Sequence, residues 1–165
     1  MKKTIKFFVI FAVLLVTVSA YTDRVYEAAD GYKAPQISVA NSNDTISLAD
    51  LRGSYVLLNF WTSSDAASRL NALSYNEAAQ NQTLGERFCL LSVNLDRSER
   101  LFREIVRRDN LSATTHYHAT GSEAQAIAAA YNLADGFNSY LIDPEGRIIA
   151  TNPSARTLDR LIAER

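Results

Sequence analysis

Hydrophobic and polar residues alternate along this chain with two different periods, which predict strands and helices in turn. Nearly continuous apolar runs at 56–61 and 87–95 are typical of strands covered on both faces of a parallel sheet. Shorter strands are predicted at 36–39 and 45–48, with a polar turn at 41–44 between them. The pattern therefore indicates a two-stranded hairpin followed by the strands of a buried sheet.

Segments with a helical period lie between and after these strands. The first follows four potential N-cap residues at 62–65 and extends to about Gln80. The others are predicted at 98–108, at 122–131 with Ser122 as N-cap and Glu123 in the first turn, and at 157–165. Five arginines lie opposite the apolar stripe of the second helix and are interpreted as a solvated face, with docking to a partner around Arg103 as the alternative.

The segment 111–119 gives the weakest pattern, and we expect a loop with a short extended piece. His116 and His118 alternate within it, so both rings would share one face. Two histidines with Asp109 nearby make an incomplete metal site, and exposed loop histidines are the preferred interpretation. No metal and no cofactor are therefore expected.

The N-terminus has the pattern of a secretory signal peptide. Three lysines precede an apolar run at 7–18, and Ser19 and Ala20 supply small residues for cleavage after Ala20. An uncleaved membrane anchor is the alternative, although the run is shorter than the roughly 20 apolar residues of a spanning helix. We expect residues 1–20 to be removed, 21–33 to form a leader, and 34–165 to form one exported, periplasmic domain without stable membrane insertion.

Charge and cysteine content exclude several classes of function. Loss of the three signal lysines reduces 17 basic residues to 14, against 18 acidic ones, and this mild acidic balance argues against a nucleic-acid partner. Cys89 is the only cysteine, so the chain has no internal disulfide and no cysteine-based metal cluster. Its place in a predicted buried strand indicates a small apolar core residue rather than a reactive thiol.

Residues 55–69 carry the most informative motif, a buried strand that runs into the N-terminus of a helix. Phe60, Trp61 and Arg69 match the Phe-Trp-Ala-Thr-Trp-Cys-x-x-Cys-Arg segment of the thioredoxin-like family. The match is best for its TlpA/ResA-type branch, which is related to AhpC/TSA proteins. Residues 136–150 resemble the family's later hairpin, and Asp143 to Gly146 form its type I turn signal. The resemblance implies a thioredoxin-like α/β fold over residues 34–165.

The same resemblance implies a redox site that this chain does not carry. Asp65, Ala66, Ala67 and Ser68 occupy the Cys-x-x-Cys positions, and thiol–disulfide exchange needs a thiolate there and a second thiol to resolve the mixed disulfide. The family's cis-proline position falls at Phe137, beside Asn138, where we expect a trans peptide. A helix cap is the simplest role for Asp65, in preference to a hydrolase-like set with Ser68 and the two histidines.

The sequence therefore predicts a thioredoxin-fold protein that has lost exchange activity and binds an envelope protein or peptide. The predicted binding residues surround the end of the first central strand: Trp61, Ser64, Asp65, Phe137 and Asn138. Trp61, Phe137 and Tyr140 would supply aromatic anchors, although an equally weighted interpretation packs Trp61 in the core beside the cap. The alternative function is a thiol–disulfide or antioxidant enzyme that uses Cys89 alone.

Overall fold

A computed structural model describes residues 28–40, 45–80, 84–85 and 87–164. The predicted signal peptide, the start of the leader and the turn at 41–44 lie outside the described residues. Within these ranges, no helix combines the length and apolar character needed to cross a membrane.

Seven strands and four α-helices are described, and their order is that predicted from the sequence. The strands are β1 Ser38–Ala40, β2 Thr45–Ser47, β3 Tyr55–Trp61, β4 Phe88–Asn94, β5 His116–His118, β6 Ser139–Ile142 and β7 Ile148–Thr151. The helices are α1 Ala66–Gln80, α2 Glu99–Arg108, α3 Gly121–Ala130 and α4 Leu158–Ala163, with short 3₁₀ turns at Leu133–Asp135 and Ala155–Thr157. Strand β5 is the extended piece expected within 111–119.

The central sheet is mixed, with strand order β5-β4-β3-β6-β7, and β1 pairs with β2 in a separate hairpin. Strand β3 runs parallel to β4 and antiparallel to β6, which gives it a partner on each side. All seven residues of β3 are buried because the sheet is covered on both faces. The carboxyl ends of β3 and β4 therefore meet at one edge, where the loop to α1 begins.

The turn between β6 and β7 follows the sequence prediction, whereas the starts of two helices differ from it. The Gly146 N–H donates to the Asp143 carbonyl oxygen at 2.8 Å, which closes the predicted turn between β6 and β7. Ser98, predicted as the first residue of α2, instead caps the helix through its side chain, and α2 begins at Glu99. The prediction of Ser122 as the N-cap of α3 is wrong, because the helix begins at Gly121 and Thr120 occupies the cap position.

The N-terminal segment before the hairpin is joined to the outer edge of the sheet. The Gly31 N–H donates to the Ile148 carbonyl oxygen at 2.7 Å, and the Ile148 N–H donates to the Tyr32 carbonyl oxygen at 2.8 Å. Lys33 forms a β-bridge with Arg147. Residues 31–33 therefore cover part of the edge of β7, which would otherwise expose unpaired backbone groups.

Candidate functional site

The candidate site is the loop between β3 and α1, at the carboxyl edge of the parallel strands. Asp65 is the N-cap of α1, because its Oδ1 accepts the Ser68 N–H at 2.7 Å. The hydrogen bond from the Ser68 N–H is the main reason that the pKa of the Asp65 carboxyl lies below its ordinary value, and the Ser68 side chain lowers this pKa further. The carboxylate is thus stabilised at the helix N-terminus, where the positive dipole end also favours it.

Ser68 is buried behind this cap. Its Oγ donates to the Asp65 carbonyl oxygen at 3.2 Å and accepts the Thr62 N–H at 3.4 Å. Ala66 and Ala67 are exposed in the first turn of α1. The side chains of Asp65 and Ser68 therefore organise the start of the helix, and neither is a redox group.

Asp96 fixes the other side of the same loop, a role that the sequence reasoning missed. Both carboxylate oxygens accept the Ser63 N–H at 3.1 Å. Asn94 Nδ2 donates to Asp96 Oδ2 at 3.0 Å, and His118 Nε2 donates to the Asp96 carbonyl oxygen at 2.7 Å. In the sequence, this role is indicated by two polar residues, Asn94 and Asp96, at the end of the buried strand β4. They face the loop that follows the parallel strand β3.

Phe137 and Asn138 lie beside this loop, as predicted. The Phe60 N–H donates to the Asn138 carbonyl oxygen at 3.2 Å, and Asn138 Oδ1 accepts from Asn152 Nδ2 at 2.8 Å. The described residues contain no cis peptide bond, which confirms the trans geometry expected at the family's cis-proline position. The segment 137–138 therefore lies beside the end of β3, where the loop 62–65 begins.

A groove of about 580 Å³ opens beside Phe137, and we call it the Phe137 groove. Its floor is mainly apolar, and its lining residues include Leu95, Asp96, Ala124, Leu133 and Phe137. Phe137 is half-buried, so part of its ring remains accessible. Ser64 is exposed at the nearby loop. This arrangement offers an apolar surface bordered by polar backbone and side-chain groups.

The predicted aromatic anchors Trp61 and Tyr140 are not at the surface. Trp61 is 0% exposed, and Tyr140 is 2% exposed. The Trp61 indole packs against Phe102 and His116, with ring centroids 6.2 and 6.1 Å apart. The anchor prediction is therefore corrected in favour of core packing, because both faces of β3 and β6 are covered and only Phe137 keeps an accessible ring.

The two histidines also differ from the exposed loop residues that were expected. His116 is 2% exposed, and burial lowers its pKa from 6.5 to about 4, a shift that a hydrogen bond to Ser112 opposes. His118 is half-buried and stacks on Phe102 with ring centroids 5.2 Å apart. Within the described ranges, no group of three or more histidine, cysteine, aspartate or glutamate residues is placed to hold a metal ion.

Cys89 lies far from the candidate site in the sheet. It is opposite Val56 in the β3–β4 register, whereas Trp61 at the site end is opposite Asn94. Five residues along a strand correspond to about 16 Å. Cys89 is therefore too far from the start of α1 to act as either of the two thiols that thiol–disulfide exchange would need there.

Residues 31–151 match the model of the AhpC/TSA family. The chain belongs to the AhpC/TSA family. It is 27% identical to the thiol-disulfide oxidoreductase ResA of Oceanobacillus iheyensis, in an alignment that covers 97% of this chain and 83% of ResA. These matches place it in the TlpA/ResA-type, thioredoxin-like part of the AhpC/TSA family.

Solved structures support the same fold for this AhpC/TSA member. A thioredoxin-like protein from Parabacteroides distasonis is 30% identical and has a TM-score of 0.70, with 83% of this chain and 96% of that chain covered. The thioredoxin domain of a thiol-disulfide oxidoreductase from Bacteroides vulgatus is 24% identical with a TM-score of 0.72, covering 82% and 96%. The fold is therefore thioredoxin-like, as the sequence motifs predicted.

Proposed function

We propose that this chain is an exported thioredoxin-fold protein that has lost thiol–disulfide exchange and acts by binding a protein or peptide in the cell envelope. The observation that supports the proposal is the identity and bonding of two side chains at the start of α1. Asp65 and Ser68 stand where exchange needs two thiols, and their polar atoms are engaged with each other and with Thr62. A fold that is kept without its reactive groups favours a binding role.

The position of Cys89 argues against the alternative of a one-cysteine enzyme. Exchange requires a thiolate that a disulfide can approach in line, in an accessible and electropositive environment. Cys89 lies near the start of β4, where it is partly buried and packs against the main core cluster. It also lies at the opposite end of the strands from the helix dipole of α1.

The Phe137 groove is the proposed binding surface, with Ser64, Asp65 and Asn138 at its approach. Its apolar floor suits a hydrophobic side chain, and the exposed loop beside it offers hydrogen-bonding groups to an extended backbone. Trp61 is fully buried and is not part of this surface. Export rests on the signal-like pattern of residues 1–20.

Insulin-disulfide reduction tests the loss of exchange. We expect the native protein and Cys89→Ser to be equally inactive, and Asp65→Cys/Ser68→Cys to gain activity because two thiols then flank the first turn of α1. Activity in the native protein that disappears in Cys89→Ser would instead establish the one-cysteine enzyme. A double-cysteine variant that folds and stays inactive would contradict the idea that only the thiols are missing.

Site-specific photocrosslinking in the cell tests binding at the groove. A photoreactive phenylalanine analogue at position 137 should give discrete protein adducts. The matched control places the same analogue at Tyr32, an aromatic residue that is 56% exposed and precedes β1 in the chain. Equal adduct patterns from both positions, or none from position 137, would contradict a partner in the Phe137 groove.

A further inference from the structure

A second and larger cavity lies on the other side of His118, away from the Phe137 groove. It opens between α2, the loop that leads to β5, and the end of β1, and has a volume of about 720 Å³. We call it the arginine pocket and define it by Phe102, Arg103, Val106, Arg107, Leu111 and His116. Its volume lies within the range of about 300–1,000 Å³ that is typical of small-molecule sites.

The wall of the arginine pocket is apolar. Phe102, Val106 and Leu111 belong to one small hydrophobic cluster that also contains Trp61. Phe102 and Val106 are only partly buried, so their accessible surfaces face the cavity that they line. An apolar ligand body would remove this surface from water, which is favourable.

The mouth of the pocket carries a positive charge. Arg103 forms an ion pair with Glu99 at 2.5 Å, so these two lining residues largely neutralise each other. Arg107 also lines the pocket and has no carboxylate partner within the part of the chain that the structure describes. Its guanidinium group can therefore donate two parallel hydrogen bonds to a ligand carboxylate.

The inner end of the pocket is polar but uncharged. His116 Nδ1 lies 3.0 Å from the Ser112 carbonyl oxygen, which can only accept, so Nδ1 carries the proton and Nε2 is an acceptor. His116 Nε2 is buried and has no hydrogen-bond partner within the described residues. Because Nε2 can only accept a hydrogen bond, the inner end of the pocket offers no donor to a ligand carboxylate.

We infer that the arginine pocket binds an amphipathic organic anion, a carboxylate with an apolar body of the fatty-acid or aryl-acid type. The carboxylate lies at Arg107, and the apolar body extends along Phe102 and Val106 towards His116. The charged mouth, apolar wall and neutral inner end fix this orientation. The inference is independent of the function proposed for the Phe137 groove, because the two cavities share no lining residue.

Tryptophan fluorescence provides a local reporter for the test. Trp61 is the only tryptophan of the chain, and it packs against Phe102 and His116, which both line the pocket. Decanoate is the probe, and decanol of the same chain length is the uncharged comparison. We expect decanoate to change the Trp61 emission saturably and to bind about 10-fold more tightly than decanol, because only decanoate makes the charge-assisted contact with Arg107. Isothermal titration calorimetry gives the affinities independently.

Three variants locate the binding site. Arg107→Gln should weaken decanoate binding about 10-fold and leave decanol unchanged. Arg100→Gln is the matched control, because it removes the same charge from an exposed position of α2 outside the pocket lining. Ala113→Phe adds bulk at an exposed lining residue and should abolish binding of both probes without disturbing the core.

Several outcomes would overturn the inference. Absence of saturable decanoate binding by fluorescence and calorimetry would exclude an anion site of this kind. Equal binding of decanol and decanoate would show a neutral apolar pocket instead. If Arg107→Gln and Arg100→Gln lose the same affinity for decanoate, the protein's net charge rather than a contact with Arg107 explains the binding. If Ala113→Phe binds both probes as the native protein does, the ligand lies outside the arginine pocket.

Discussion

At the scale of single residues, polar side chains of the site act mainly on the backbone of one loop. Asp65 accepts the Ser68 N–H from the helix side, and Asp96 accepts the Ser63 N–H from the side of β4. His118 in turn donates to the Asp96 carbonyl oxygen. These bonds hold the loop 62–65 in place at the carboxyl edge of the sheet.

His116 should make the stability of the protein depend on pH. Its pKa is about 4 in the folded protein and 6.5 ordinarily, so the unfolded chain binds more protons between these values. Its contribution is fully present above pH 6.5 and is lost as pH falls towards 4. We expect the free energy of unfolding to fall by about 2 kcal/mol between pH 7.5 and pH 5 on account of this group.

Urea denaturation at both pH values measures this effect. His116→Gln should reduce the difference between pH 7.5 and pH 5, because the variant has no imidazole to protonate. His118→Gln is the matched control, since it removes the only other histidine and should leave the difference in place. If the difference in unfolding free energy between the two pH values disappears in His118→Gln and persists in His116→Gln, the prediction for His116 is wrong.

Asp65 gives a second pH-dependent prediction. Asp65→Ala should lower the thermal midpoint because the Ser68 N–H loses its acceptor. The folded-state pKa of Asp65 lies below its ordinary value, so its contribution is present above the unfolded pKa and is lost as pH falls through the folded one. Asp65→Asn keeps a capping oxygen and should stay closer to the native midpoint at neutral pH. Equal midpoints for the native protein and Asp65→Ala would contradict the capping role.

At the scale of elements, one ion pair joins α1 to the end of α2. Arg69 Nε and Nη2 donate to the two carboxylate oxygens of Asp109, both at 2.7 Å. The Asp109 side chain is 8% exposed and the Arg69 side chain 27%. Arg69 directly follows positions 65–68. The Arg69–Asp109 pair therefore fixes the start of α1 against α2, which forms one wall of the arginine pocket.

Breaking this pair should destabilise the protein more than breaking a surface pair. Arg69→Met leaves the Asp109 carboxylate nearly buried without its main partner, and we expect a loss of about 2 kcal/mol in the free energy of unfolding. Arg160→Met removes the exposed pair between Arg160 on α4 and Glu164, the residue that caps its C-terminus, and should cost less than about 0.5 kcal/mol. Chemical denaturation measures both, and similar losses would show that burial does not strengthen the Arg69 pair.

At the scale of the whole molecule, the sheet depends on the segment that precedes the hairpin. Residues 31–33 bond to β7, and the family match also begins at residue 31. The predicted domain start at residue 34 would leave these contacts out. Tyr131 adds a further link between the C-terminal end of α3 and this region, because its hydroxyl donates to the Pro35 carbonyl oxygen at 2.6 Å.

Truncation distinguishes the two starting points. A chain that begins at Ala34 loses the backbone bonds of Gly31 and Tyr32 to Ile148, and should be about 2 kcal/mol less stable than one that begins at Ala28. Thermal and urea midpoints of the two chains measure the difference. Equal midpoints would show that the predicted boundary at residue 34 is sufficient.

The sequence by itself determined the features that depend on neighbours along the chain. The apolar runs of β3 and β4 and the turn from Asp143 to Gly146 follow from local periodicity and short-range hydrogen bonds. The capping role of Asp65 and the absence of thiols at α1 also follow from residue identity at a helix start. The family motifs then gave the fold, since they combine these local features in one order.

Only the tertiary structure decided which polar and aromatic residues are buried and what they contact. Asp96 reaches Ser63 across 33 residues of sequence, and Asp109 reaches Arg69 across 40. The same packing buries Trp61 and His116 together and opens the arginine pocket beside them. No periodicity encodes such pairs, because they arise when the sheet brings distant strand ends to one edge.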